Sequence, residues 1–134
     1  MKKLSLILLL LVSTFTFAQT EIAVTPQITF KIGLETTVTS DGVAIQFHEV
    51  LEDSRCPENV QCVWAGQARV KVTVSTSEMP EKTLELIVGK KEKNILYVGN
   101  DFVLKAINLA PYPIATNVQN KEYILFILKE KVSN

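Results

Sequence analysis

The chain has 134 residues, enough for one domain, and sets 14 Lys and Arg against 14 Asp and Glu. A formal charge of zero excludes the strong basic or acidic field that would steer nucleic acid or a polyanionic surface. One histidine and two cysteines are too few for multi-ligand metal sites and most nucleophilic schemes, so no metal or cofactor is expected.

In chain order, the first element is an export leader. Met1, Lys2 and Lys3 form a positive end, residues 4–12 are apolar apart from Ser5, and Thr16 and Ala18 are small residues suited to a cut after Ala18. This is the three-part layout of a secretory signal peptide over residues 1–18. An uncleaved anchor is the alternative, but the apolar run falls short of the roughly 20 residues a spanning helix needs. No cysteine follows the cut, which removes an N-terminal lipid anchor. The expected product is a soluble exported protein, periplasmic or extracellular, starting at Gln19 with no membrane span after cleavage. Loss of Lys2 and Lys3 leaves 12 cations against 14 acids.

From Ile28 onward the apolar period is two, the signature of strands. Ile28, Phe30 and Ile32 alternate with polar residues up to Gly33, and residues 36–39 are β-branched before the turn signal Ser40-Asp41-Gly42. Val43, Ile45 and Phe47 define one face of the next strand and His48 lies on the other. Ala68, Val70, Val72 and Val74 alternate with Arg69, Lys71, Thr73 and Ser75, which predicts a half-buried strand with the first set inward. Leu84, Leu86 and Val88 follow, then a solvated hairpin end over 89–94, a short strand over 95–98 and another over 102–109. Residues 124–128 are apolar on both faces, so this last strand is expected in the centre of a sheet. About eight short strands with no amphipathic helix predict an all-β fold: a single antiparallel β-sandwich over 19–134, immunoglobulin-like with Greek-key connections or barrel-like. Tyr112–Pro113 is a candidate cis bond.

Residues 51–66 stand out. They join two good strands with more residues than a plain hairpin needs, and a long loop in a compact domain is often functional. The segment holds both cysteines, the sole tryptophan and one of the two arginines. Cys56 and Cys62 are the natural disulfide of an exported chain. A ring this short contributes roughly 2–2.5 kcal/mol by the chain-entropy argument, a local brace. A metal pair at these cysteines lacks further ligands.

Asp53-Ser54-Arg55-Cys56-Pro57, four residues, then Cys62-x-Trp64-Ala65-Gly66-x-Ala68 resembles the pattern of an uncharacterised family of small exported or lipid-anchored bacterial proteins, many from Bacteroidota. Leu109-x-Pro111-x-Pro113 and a last strand near Tyr123 fit its layout. The resemblance implies compartment and fold but no activity, and this chain departs from the lipid-anchored members in lacking their cysteine after the leader.

The candidate motif residues are Asp53, Ser54, Arg55, Trp64 and Gly66. Trp64 is expected to pack over the Cys56–Cys62 bridge or into the sandwich end, the alternative being an exposed stacking platform. Asp53 and Arg55 are expected to brace the loop, Asp through turn bonds and Arg through its planar fork; a recognition pair is the alternative. Ser54 lacks an adjacent base, since His48 lies on a strand face six residues away, so no catalytic residue is assigned. Glu49, Glu52, Asp53 and Glu58 offer oxygens for calcium, but in no recognised spacing. Three function classes follow. The leading one is a non-catalytic exported sandwich that binds an unknown protein or glycan partner, or serves the cell envelope, through a disulfide-braced loop. The others are a secreted protease inhibitor using the same loop, and an envelope hydrolase using loop carboxylates such as Glu49 and Asp53.

Overall fold

A computed structural model describes residues 27–114 and 122–132. The leader, its cut after Ala18 and the segment up to residue 26 lie outside the described residues.

Eight strands follow in order: β1 (Ile28–Gly33), β2 (Thr37–Ser40), β3 (Val43–Asp53), β4 (Ala68–Thr76), β5 (Lys82–Ile87), β6 (Ile95–Val98), β7 (Phe102–Ala110) and β8 (Ile124–Lys131). They form two antiparallel four-stranded sheets, β2-β3-β4-β5 and β1-β8-β7-β6. Every strand pair is consecutive in the chain except β1 with β8. Of the two connection patterns left open by the sequence, the order is therefore the barrel-like one, a ring opened at the β1–β2 and β5–β6 corners. Backbone bonds bridge those corners: Glu35 N–H to Phe47 O at 2.7 Å and Phe47 N–H to Thr36 O at 3.1 Å on one side, Gly89 N–H to Ala106 O at 3.0 Å on the other.

The alternation in the sequence decides which side chains fill the space between the sheets. Ala68, Val70, Val72 and Val74 of β4 are buried, as are Val43, Ile45 and Phe47 of β3. Ile32, Leu104, Ala106, Leu109, Leu125 and Ile127 meet them from the other sheet in one apolar cluster. Outward Arg69 pairs with Glu85 and Lys71 with Glu49. The β2–β3 hairpin turns through Asp41 and Gly42, both with positive φ, the conformation that a two-residue turn of right-handed twist requires. β8 lies between β1 and β7, central as its apolar run implies. Its outer face is only partly covered, with the Lys31 ammonium 5.3 Å from the Phe126 ring centre.

Three local details depart from simple alternation. Register shifts at Phe47/Glu49 and Val50/Glu52 insert two bulges in β3. The first turns Glu49 outward toward Lys71 and brings Val50 opposite Val70; the second restores the phase, so Asp53 faces the sandwich opposite buried Ala68. Thr73, on the outer face, is nonetheless buried, because His48 Nε2 and Thr83 Oγ1 hydrogen-bond its hydroxyl at 2.6 and 3.2 Å. The 89–94 segment is a crossover between sheets instead of a hairpin end. Its last residue, Asn94, is buried and donates to Ala106 O at 3.1 Å.

Val72 sits at the centre of this packing, paired with Phe47 and Leu84 on the inward face. Val72→Ala should cost about 1–3 kcal/mol from lost burial plus the cavity left behind. Urea unfolding should register it as a lower midpoint with an unchanged slope.

Candidate functional site

The 54–67 connection is built outward from Arg55. Its Nε and Nη2 donate to the two carboxylate oxygens of Asp53 at 2.7 and 2.9 Å, a bidentate pair with side chains only 11% and 7% exposed. Its Nη1 donates to Leu109 O at 2.6 Å and Nη2 also to Pro111 O at 3.0 Å, while the guanidinium carbon lies 4.9 Å from the Tyr112 ring centre. Asp53 ends β3 in one sheet and Leu109 is the last residue but one of β7 in the other, so one planar cation clasps the two sheets. The Tyr123 hydroxyl adds a bond to Asp53 Oδ2 at 3.1 Å. Burial first, and then the Asp53 charge beside it, push the Tyr123 phenol above its ordinary value of 10.0. Asp53 and Arg55 thus brace the loop.

Above the clasp the two arms of the loop are stitched together. Ser54 N–H donates to Gln67 O at 2.8 Å and Cys56 N–H to Ala65 O at 2.9 Å. Gly66 crosses directly against the first arm with φ of +71°, and a Cβ there would sit 1.8 Å from Ser54 O. Glycine is the one residue that fits, through both its backbone conformation and its lack of a side chain. The Cys56–Cys62 disulfide closes the tip, with Cα atoms 5.9 Å apart. Glu58 N–H reaches Pro113 O at 3.3 Å and ties the tip to the segment after β7. In that segment the cis peptide is Ala110–Pro111, not Tyr112–Pro113 as expected.

The tip itself faces solvent. Trp64 is 64% exposed and Val60 45%, and Val63 is fully exposed. This corrects the expectation that Trp64 packs over the bridge or into the sandwich end. The arm carrying it is held against the first arm by the Ser54, Cys56 and Gly66 contacts, and the indole is displayed from it to solvent. Trp64, Gln67, Val88, Lys90 and Tyr112, with the edge of Arg55, instead line an open cleft of about 500 Å³. Lys90 and Tyr112 were absent from the sequence-derived candidates. Their only signal was their place next to Gly89 and between two prolines.

The other sequence candidates do not converge. The Ser54 hydroxyl is 2.8 Å from Glu52 Oε1 and 3.2 Å from Gln67 O, whereas His48 is engaged with Thr73, so no serine–histidine pair forms. Glu49 belongs to Lys71, whose hydrogen bond lowers the Glu49 pKa, and Asp53 belongs to Arg55. No group of three or more His, Cys, Asp or Glu among the described residues could hold a metal ion, so Glu49, Glu52 and Asp53 of β3 and Glu58 of the loop do not gather into a calcium site. Among the described residues no helix is long and apolar enough to cross a membrane. Comparison with protein-family models, curated proteins and solved structures finds no match to this chain.

Gly66→Ala should destabilise the protein by more than about 1 kcal/mol, since the substitution adds both positive-φ strain and a backbone clash. Denaturant unfolding measures this loss. Tyr123 gives a pH test. Its folded pKa is raised, so its contribution to stability is fully present below pH 10.0 and falls as pH climbs through the raised value. The stability advantage of the wild type over Tyr123→Phe should therefore narrow in strongly alkaline solution, as read by thermal melts across pH.

Proposed function

We propose that the protein is an exported, non-catalytic binding module of the bacterial envelope or its surroundings. It presents the disulfide-braced 56–64 tip and its exposed tryptophan to a protein or glycan partner. One observation carries this: three large apolar side chains, Val60, Val63 and Trp64, are displayed to solvent from a base that is bonded at every level. Exposed apolar surface costs solubility unless it meets something, and a pre-ordered loop loses little freedom on binding. The disulfide is compatible with export, and the leader and the resemblance to exported bacterial proteins support the same compartment. The hydrolase alternative draws no support from Glu49 and Asp53, because each is committed to its own cation. The inhibitor alternative uses the same surface and differs only in the partner.

The test is retention of the full chain on exported and envelope fractions from cells that produce it. Trp64→Ala with Val63→Ser should leave thermal unfolding unchanged, because both side chains are exposed, and should cut retention by ~10-fold or more, as for a buried aromatic anchor at an interface. Equal retention of wild type and variant would remove the proposal.

A further inference from the structure

We propose that the cleft beside Trp64 binds a pyranose ring bearing a carboxylate, the chemistry of a uronic-acid glycan. This rests on the binding-module reading and gives it a ligand class. The cleft combines two exposed aromatic walls with a cationic rim. Trp64 and Tyr112, 64% and 43% exposed, both line it. A sugar ring offers an apolar C–H face to such a wall and keeps its hydroxyls at the edge, so aromatic surface is covered without stranding polar groups. A volume of about 500 Å³ lies within the ordinary range of small-ligand sites, about 300–1,000 Å³.

The charge of the lining decides between a neutral and an acidic sugar. Among the described residues, the charged side chains in it are Arg55 and Lys90, and no carboxylate lines it. Arg55 is already spent on Asp53, Leu109 O, Pro111 O and the Tyr112 face, so it shapes the wall and offers no free fork. Lys90 is different: it is exposed and has no ion-pair partner among the described residues. It is followed by Lys91, Glu92 and Lys93, which keep this turn net positive. A carboxylate held at the rim therefore meets attraction from Lys90 and no like charge within the lining. Gln67 supplies a polar contact as well. Its amide nitrogen points to Glu52 Oε2 at 3.4 Å, and its amide oxygen can accept a sugar hydroxyl. A nucleobase would also stack on Trp64, but nucleic acid needs a cationic track along its backbone, and the whole chain is neutral.

Trp64 is the sole tryptophan, so its fluorescence reports this cleft alone. The full chain, disulfide intact, is titrated at low salt with an oligogalacturonate and with a neutral galactose oligomer of equal length. The acidic oligomer should give a saturable change at ~10-fold lower concentration than the neutral one, the scale of one favourable charge contact. Lys90→Gln should shrink that preference to about threefold or less, Lys90→Arg should keep it, and added salt should erode it. By calorimetry, Trp64→Ala should lose both ligands. Equal affinity for the two oligomers, or a preference indifferent to Lys90→Gln, overturns the proposal. Silence toward both sugars overturns it too; if Trp64-dependent retention on envelope fractions persists in that case, a protein partner takes the glycan's place and the binding-module reading stands. If retention is also lost, both fall.

Discussion

A single guanidinium holds the loop-bearing end of this molecule in shape. Arg55 takes a carboxylate from the end of β3, two backbone carbonyls from the end of β7 and a ring from the segment beyond. Lysine could satisfy one of these at a time; the planar fork satisfies them together. The ion pair is nearly buried, so its attraction must offset the cost of removing both charges from water. Such pairs add little net stability over a well-packed apolar substitute, but they are unforgiving of a missing partner. Their geometry selects one arrangement of sheet ends, loop arms and Tyr112 out of many that apolar contact alone would tolerate. The cleft inherits its shape from that choice.

The same economy governs the two bulges of β3. An uninterrupted strand would point Glu49 into the core with Phe47. The first bulge turns that acid toward Lys71, and the second returns the chain to phase so that Asp53 arrives facing Arg55. The bulges therefore reconcile a sequence rich in acids with an apolar interior.

Much of this was legible in the residues. Strict alternation in β4 named its buried face, the doubly apolar β8 named its central place, and Asp41-Gly42 named its turn, because each depends on local chemistry. Gly66 was legible as a special position, though its near-contact with Ser54 was not. Arg55 was readable as a brace, but two of its acceptors are backbone carbonyls more than fifty residues away, and carbonyls carry no sequence signature. Trp64 was misread for a related reason. Hydrophobicity alone does not say where the fold places a side chain, and the pairing of the two loop arms carries this indole on the solvent-facing tip. Lys90 joins the cleft through a sheet-to-sheet crossover that looked in sequence like a hairpin.

The pairing of β1 with β8 has a consequence for how the chain comes together. Ile28 lies opposite Lys129 and Ile32 opposite Leu125, so among the described residues the first strand pairs only with the eighth, about ninety residues further along the chain. The β2–β5 meander and the β6–β7 pair can assemble from neighbouring segments, but β1 waits for β8. Such long-range closure is slow, because the intervening chain must be restrained before any contact rewards it. A polypeptide made amino end first therefore leaves Phe30 and Ile32 of β1 without their partner strand until β8 has followed.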